Sequence, residues 1–87
     1  MWFVYILRCV DDALYVGEAA DLESRVAKHN DGSGSSFTAR RRPVQLVLSE
    51  THANRGAALK REKQLKRWTR AKKEALICGE LERLKRL

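Results

Sequence analysis

Hydrophobic positions along the chain have strand-like spacing in the first half and helix-like spacing in the second. Trp2–Cys9 is a run of β-branched, aromatic and aliphatic residues, which is typical of a strand. Leu14–Gly17 predicts a second short strand, so residues 2–17 are expected to form a β-hairpin. Val44–Ser49 predicts a third strand, and Pro43 just before it is compatible with the start of a strand.

Helices are predicted where capping residues precede apolar positions at helical spacing. Asp21 is a favourable N-cap for a helix that runs to about Asn30, and a Gly/Ser-rich loop follows it. Thr69 is a cap of the same kind. The remaining predicted helices are Arg55–Trp68, Arg70–Ile77 and a last one that carries Leu81, Leu84 and Leu87. The order β-β-α-β-α-α predicts an α+β fold, with a small three-stranded antiparallel sheet flanked by helices.

Length and charge narrow the classes of partner. The chain has 87 residues, enough for one small domain, which we place at residues 1–78 with a helical extension at 79–87. Eighteen Lys and Arg oppose eleven Asp and Glu, a net charge of +7. The whole excess lies after residue 50, where twelve basic residues oppose four acidic ones. Such a domain usually binds a polyanion: nucleic acid first, an anionic membrane surface second, an acidic protein third.

Other classes are disfavoured by composition. A hydrophobic content of 44% is too high for intrinsic disorder, and no apolar stretch approaches the roughly 20 residues that cross a bilayer. The apolar start is too short for a signal peptide. Two cysteines, Cys9 and Cys78, make neither a disulfide framework nor a zinc site. We therefore expect reduced thiols and a cytoplasmic protein.

Glu62 breaks the apolar pattern of its predicted helix. It falls beside Ala58, between Leu59 and Leu65 on the helical wheel. A carboxylate turned toward a core needs a partner, since an unpaired buried charge is costly. That partner is either a metal ion or an arginine, and the wheel alone favours the ion pair.

Three further groups of residues suggest chemistry. Arg25 and His29 share one helix face, where Arg suits a phosphate and His can relay a proton, although a solvated flank is the more frequent origin of such a pair. Tyr5 and Tyr15 can point the same way from paired strands, although strand tyrosines are usually core residues. The third group is a basic cluster that contacts either phosphate or only solvent, with an aromatic residue that could stack on a base: Phe37, Arg40, Arg41 and Arg42.

Taken together, these residues resemble the GIY-YIG nuclease superfamily, in particular its small stand-alone bacterial members. The resemblance covers about residues 2–77. It depends on an ordered set of short elements: Val4-Tyr5-Ile6, Tyr15-Val16-Gly17, Asp21-Leu22-Glu23-x-Arg25, His29-Asn30, Phe37-Thr38, Arg42-Pro43-Val44 and Arg61-Glu62.

The resemblance implies a three-stranded antiparallel sheet and an endonuclease that hydrolyses phosphodiester bonds in DNA with one divalent cation, Mg²⁺ or Mn²⁺. It suggests work in DNA repair, recombination or the processing of structured or single-stranded DNA, as a homodimer or in a larger repair assembly. By position, Glu62 would bind the ion, Tyr5 would be the general base and Arg25 would hold the scissile phosphate. Tyr15 would orient the water or the hydration shell of the metal, and His29 would support that shell or the base. The expected DNA contacts are Phe37, Thr38, Arg40, Arg41, Arg42, Lys63 and Lys66.

The sequence also departs from the family pattern. Val4 stands at the first GIY position, Glu18 follows Gly17, and no Asn follows Glu62. These departures motivate a second hypothesis, a nucleic-acid-binding module whose nuclease site is degenerate or needs a partner. A membrane-binding surface is a poor third, because the C-terminal helices have few large apolar residues.

Overall fold

The computed structural model describes all residues from Met1 to Leu87. The predicted elements follow one another in the predicted order, with one short extra helix between the first long helix and the third strand. Their bounds are β1 Trp2–Arg8, β2 Leu14–Ala19, α1 Leu22–Asp31, α2 Ser36–Ala39, β3 Gln45–His52, α3 Arg55–Arg67, α4 Arg70–Cys78 and α5 Leu81–Lys85.

The sheet has the strand order β2-β1-β3, and both outer strands run antiparallel to β1. The predicted α+β class with a three-stranded antiparallel sheet is therefore confirmed. Because β1 is central, its side chains alternate between two covered faces. The four residues from Val4 to Leu7 are each at most 1% exposed.

One face of the sheet is apolar and is covered by α3. Val4 and Ile6 of β1 and Val16 of β2 pack there against Ala58 and Leu65 of α3. Ala58 and Leu65 are two helical turns apart, so one stripe of the helix meets the sheet. Burial of these side chains fixes α3 across β1 and β2.

The other face is covered by α1 and carries polar as well as apolar side chains. Tyr5 and Leu7 of β1 form a cluster there with Val44, and Leu22 and Val26 of α1 pack against it. The α1 helix contributes few apolar residues, as the sequence indicated. The rest of this interface is made by tyrosine and histidine, which become the site described below.

Side-chain caps begin the three long helices. The side-chain oxygens of Asp21, Asn54 and Thr69 each accept a hydrogen bond from the backbone N–H three residues later. Gly32 and Gly79 end α1 and α4 in the left-handed region, with φ of 94° and 73°. The helix starts predicted at Asp21 and Thr69 are confirmed.

The largest differences from the sequence prediction are a longer β3 and the additional α2 helix. β3 continues to His52, three residues past the predicted end, because its backbone still pairs with Trp2–Val4 after its hydrophobic pattern has stopped. The α2 helix forms from a segment expected to be irregular, because the Ser35 hydroxyl caps its first turn. Ladder and cap hydrogen bonds decide both cases, and neither leaves a hydrophobic period in the sequence.

Ion pairs attach α4 to the turn between β1 and β2. Arg8 Nη1 lies 2.8 Å from Asp12 Oδ1 and 2.9 Å from Glu74 Oε2. Arg70 Nη2 lies 2.9 Å from Asp12 Oδ2. Single exposed pairs contribute about 0–1 kcal/mol, but this network links residues far apart in the chain and fixes the direction of α4.

The α5 helix is the least integrated element. None of its residues is buried, and Leu81 is 60% exposed. The predicted boundary after residue 78 stays a prediction. No helix of the structure is both long and apolar enough to span a bilayer.

Candidate active site

Tyr5 of β1 and Tyr15 of β2 lie on the same face of the sheet. The register pairs Tyr5 with Gly17 and Leu7 with Tyr15, and directly opposed residues of antiparallel strands share a face. The two ring centroids are 6.5 Å apart. Two phenols from neighbouring strands therefore meet beside α1.

Gly17 provides the space that the Tyr5 side chain occupies. A Cβ atom at position 17 would lie only 2.4 Å from the Tyr5 hydroxyl oxygen. The phenol therefore lies across the backbone of β2, and any side chain at residue 17 would displace it. The glycine of the Tyr15-Val16-Gly17 element is required by this close approach.

His29, in the last turn of α1, is hydrogen-bonded to Tyr5. Its Nε2 lies 2.9 Å from the Tyr5 hydroxyl oxygen, and both residues are 1% exposed. The His29 ring also lies 5.0 Å from that of Tyr15, centroid to centroid. Of the alternatives considered from sequence, a solvated flank does not describe His29, which is part of the packed interface between α1 and the sheet.

Arg25 lies one helical turn before His29 and is half-buried. Its Nη1 donates a hydrogen bond to the carbonyl oxygen of Glu18, 3.2 Å away. This bond holds the guanidinium at the edge strand β2, next to the tyrosine pair. The other guanidinium donors remain available for an anion.

Burial controls the protonation of Tyr5 and His29. The pKa of Tyr5 is raised to about 12, mainly by burial and then by the nearby Tyr15, while Arg25 acts in the opposite direction. Burial also lowers the pKa of His29, and the positive charge of Arg25 lowers it further. At neutral pH the pair is therefore a neutral phenol hydrogen-bonded to a neutral imidazole.

Glu62 lies on α3, one turn after Ala58. Its side chain is 16% exposed, and Lys66 Nζ lies 3.7 Å from its Oε2. The nearby cation is thus a lysine of the same helix, whereas the helical wheel favoured an arginine. The negative charge of Glu62 also makes a small contribution to the raised pKa of Tyr5.

The donor set fits a hydrated, hard divalent cation. No group of three or more His, Cys, Asp or Glu side chains could hold an ion in this structure. Mg²⁺ retains several waters and takes only one or two carboxylates, so the partly exposed Glu62 is sufficient. Glu18 Oε2 is a second candidate acceptor, since it is buried and has no hydrogen-bond partner. Glu18 pairs with Val4 across the strands, on the face that α3 covers.

Phe37 packs against Tyr15, and the arginine cluster follows it in the chain. The Phe37 ring is 37% exposed and its centroid lies 5.9 Å from that of Tyr15. Arg41 Cζ lies 3.9 Å above the Phe37 ring, and Arg41 Nε lies 3.0 Å from Asp11 Oδ2. Arg42 Nε donates to a backbone carbonyl of α2, while Arg40 is exposed and has no acidic partner.

Thr38 and the two predicted lysines differ in their accessibility. Thr38 is fully buried and hydrogen-bonds His29, which favours an internal role over the predicted contact with DNA. Lys66 pairs with Glu62 at the site, as noted above. Lys63 is exposed and lines a shallow groove of about 510 Å³ on the outer face of α3, together with Lys60, Gln64, Arg67 and Trp68.

Two residues near the site had no sequence signal of their own. Gly34 and Ser35 lie in the Gly/Ser-rich segment that predicts only a loop, but Gly34 packs on His29 and Ser35 hydrogen-bonds Thr38. Asn30 was noted only as part of the His29-Asn30 element. Its side chain bonds both backbone groups of Val44, which ties α1 to the start of β3.

The chain is similar to known proteins over most of its length. A family model described as the GIY-YIG catalytic domain matches residues 1–75. A UPF0213 protein of Staphylococcus epidermidis is 49% identical over 75 residues, which cover 86% of this chain and 92% of that protein. A UPF0213 protein of Staphylococcus aureus is 51% identical with the same coverage. The solution NMR structure of a UPF0213 protein from Bacillus halodurans has 35% identity and a TM-score of 0.58, over 90% of this chain and 84% of that one.

Proposed function

The chain belongs to the GIY-YIG family, and from this premise we propose that it is a divalent-metal-dependent endonuclease that hydrolyses phosphodiester bonds in DNA. The observation that carries the proposal is the buried hydrogen bond between the Tyr5 hydroxyl and His29 Nε2, 2.9 Å long, with Arg25 beside it. A phenol paired with a neutral imidazole can move a proton, and a guanidinium beside them can bind the phosphate that reacts.

Tyr5 and His29 act as one proton-accepting unit. A phenol with a pKa of about 12 does not ionise at neutral pH, so Tyr5 cannot hold the proton of the attacking water by itself. Instead, it takes that proton while its own hydroxyl proton passes to His29 Nε2. The lowered pKa of His29 keeps the imidazole neutral before the reaction, which leaves it able to accept.

Arg25 binds the scissile phosphate and stabilises the charge that develops on it. Its Nη1 is held by the Glu18 carbonyl, so the guanidinium is already oriented before DNA binds. Tyr15 lies between Tyr5 and the exposed Phe37, where its hydroxyl can orient the attacking water. These roles require no rearrangement of the fold.

Glu62 is the proposed ligand of the divalent cation, Mg²⁺ or Mn²⁺. Such a cation, when bound, supplies polarisation of the phosphate and neutralises charge on it. Lys66 pairs with Glu62, and this pair would open or shift toward a phosphate when the ion is present. Glu18 is a candidate second acceptor.

DNA contacts outside the reacting centre are proposed for Phe37 and the arginine cluster that follows it. Phe37 offers an exposed ring for stacking on a base, and Arg40 is a free cation next to it. Arg41 and Arg42 add positive charge to the same segment. Lys63 extends the positive surface along α3. Their effect should be a salt-dependent affinity for the phosphate backbone.

The test is a cleavage panel of single-stranded, duplex and branched DNA with Mg²⁺ or Mn²⁺. The wild-type protein should cut at least one of these, and Glu62→Ala should remove cleavage while leaving the fold unchanged. Glu82→Ala is the matched control, because Glu82 is an exposed glutamate of α5 far from the tyrosines in the chain. Equal cleavage by wild type and Glu62→Ala would reject the catalytic assignment.

The second candidate function is a nucleic-acid-binding module without cleavage. It is favoured by the extra carboxylate of Glu18 beside Gly17, whose negative charge opposes that of a phosphate. Glu18 Oε1 lies 3.7 Å from Arg55 Nη2, and Oε2 has no hydrogen-bond partner. This function would be supported if the wild-type protein binds DNA in a salt-dependent way but cuts none of the substrates. Mn²⁺ binding should then be absent, or equal in wild type and Glu62→Ala.

A further inference from the structure

Both ring nitrogens of His29 have a buried partner. Nε2 lies 2.9 Å from the Tyr5 hydroxyl oxygen, and Nδ1 lies 2.8 Å from Thr38 Oγ1. A neutral imidazole carries one N–H, so one nitrogen donates and the other accepts. The partners of the two hydroxyls decide which tautomer is favoured.

Thr38 has other acceptors for its hydroxyl hydrogen. Its Oγ1 lies 2.9 Å from Ser35 Oγ and 3.4 Å from the Ser35 carbonyl oxygen, which can only accept. If the Thr38 hydrogen points toward Ser35, a lone pair of Oγ1 faces His29 Nδ1. The Nδ1–H tautomer then donates to Thr38, and Nε2 presents its lone pair to the Tyr5 hydroxyl.

We propose that Thr38 is a positioning residue which, together with Ser35, holds His29 in the Nδ1–H tautomer so that Nε2 accepts the hydrogen bond of Tyr5. The consequence for catalysis rests on the proposed nuclease function. In that reaction the O–H bond of water breaks as a proton joins the Tyr5 oxygen, and the Tyr5 O–H bond breaks as its proton joins Nε2. The opposite tautomer would place an N–H against Tyr5 and leave no acceptor for the second proton.

The packing around His29 leaves little freedom for another arrangement. Thr38 is fully buried and His29 is 1% exposed. A Cβ atom at Gly34 would lie 2.5 Å from His29 Nδ1, so the backbone of this segment is in direct contact with the ring. Ser35 also caps α2 by accepting from the Thr38 N–H, 3.1 Å away, which fixes Thr38 relative to the ring.

The direct test is the tautomer of His29, read from the ¹⁵N chemical shifts of its ring in the full-length protein near pH 7.5. Wild type should show a protonated Nδ1 and an unprotonated Nε2. The Thr38→Val variant keeps the shape but removes the acceptor, and it should shift His29 toward the Nε2–H tautomer. The Thr38→Ser variant retains a hydroxyl and should restore the wild-type pattern, which a purely steric role of Thr38 would not predict.

Cleavage provides the second measurement. Thr38→Val should lower the cleavage rate by about 100-fold, the lower end of the contribution of a positioned acid–base group, and Thr38→Ser should recover most of it. If Thr38→Val does not fold, Ser35→Ala is the substitute. It removes the hydroxyl of Ser35 but leaves the carbonyl oxygen as an acceptor for Thr38, so a partial shift toward the Nε2–H tautomer is expected.

An Nε2–H tautomer in wild type, or an Nδ1–H tautomer that persists in a folded Thr38→Val variant, would overturn the proposal. The tautomer does not depend on activity. A protein that cuts no DNA but shows the expected tautomer switch would therefore reject the nuclease function and leave the positioning role supported.

Discussion

The two faces of the sheet are built from the same central strand but bury different kinds of side chain. On one face, Val4 and Ile6 pack with Ala58 and Leu65 of α3, and ion pairs lie beside this apolar cluster, among them Glu50 with Arg61 of α3. On the other face, Tyr5 lies against His29, which in turn lies against Thr38, all at most 1% exposed. Alternate residues of β1 thus serve an interface with an apolar centre and a buried hydrogen-bond network.

This difference separates stability from chemistry. Apolar packing is non-directional, so the α3 face stabilises the fold without selecting a single hydrogen-bond pattern. A buried hydroxyl or imidazole must find partners of correct geometry, so the α1 face restricts Tyr5 and His29 to defined orientations. We therefore expect substitutions of the hydrogen-bonded side chains on the α1 face to affect reaction rate most. Substitutions of the apolar side chains on the α3 face, unlike Glu62 at the proposed metal site, should affect unfolding most.

The largest expected effect in this comparison of the two buried faces is that of Tyr5→Phe on cleavage. Removal of the hydroxyl eliminates the proton acceptor and should lower the rate by about 10²–10⁴-fold. The free energy of unfolding should fall by only about 1–3 kcal/mol, since one buried nitrogen of His29 loses its partner. Cleavage assays and chemical denaturation measure the two effects. A loss of activity that merely tracks the loss of folded protein would contradict the proposed division between the faces.

Leu65→Ala tests the other face. Its side chain is fully buried against the sheet, so truncation should lower the free energy of unfolding by about 2–5 kcal/mol. At a temperature where the variant remains folded, the cleavage rate per folded molecule should stay within a few fold of wild type. A rate loss comparable to that of Tyr5→Phe would show that α3 packing also controls the chemistry.

Gly17→Ala is a steric test of the α1 face. The added methyl would meet the Tyr5 hydroxyl at 2.4 Å, so Tyr5 or β2 must move, at a cost of about 1–3 kcal/mol in the free energy of unfolding. We expect a marked loss of cleavage as well. Gly56→Ala is the matched control, because its nearest atom would lie 3.4 Å away. Equal stability and activity of the two variants would contradict the close approach of Tyr5.

The smallest expected effect is a pH dependence of stability through His29. Its pKa is lowered in the folded state, so below the ordinary value of about 6.5 the unfolded chain binds the proton more readily. The free energy of unfolding should therefore decrease as pH falls from about 7 toward the lowered pKa. Denaturation at pH 7.5, 6.5 and 5.5 measures this slope, which His29→Gln should reduce. An unchanged slope would contradict the assignment to His29.

Much of the architecture followed from local patterns. The alternation in β1, the caps at Asp21 and Thr69, and the helical stripe of Ala58 and Leu65 each depend on residues close in sequence. The last three residues of β3 did not follow from a local pattern, because this polar end of the strand is held by backbone pairing with β1. The α2 helix was also missed, since a single serine cap determines it.

The site was predicted only in part for the same reason. Tyr5, Tyr15, Arg25, His29 and Glu62 were singled out as residues that break a pattern or match the family elements. Thr38 was expected at the DNA surface, and only the fold of the segment after α1 places it beneath His29. Nothing in the spacing of Thr38 and His29 along the chain indicates a hydrogen bond between them.

The sequence by itself determined the class of fold, the basic surface and the set of chemically capable residues, because periodicity, caps and charge are local or additive properties. Only the tertiary structure decided which of these residues meet. The contacts of Tyr5 with His29, and of His29 with Thr38, join elements that lie 24 and 9 residues apart. Such contacts depend on how α1 packs on the sheet, and with them come the burial and the protonation states that give the tyrosine its proposed role.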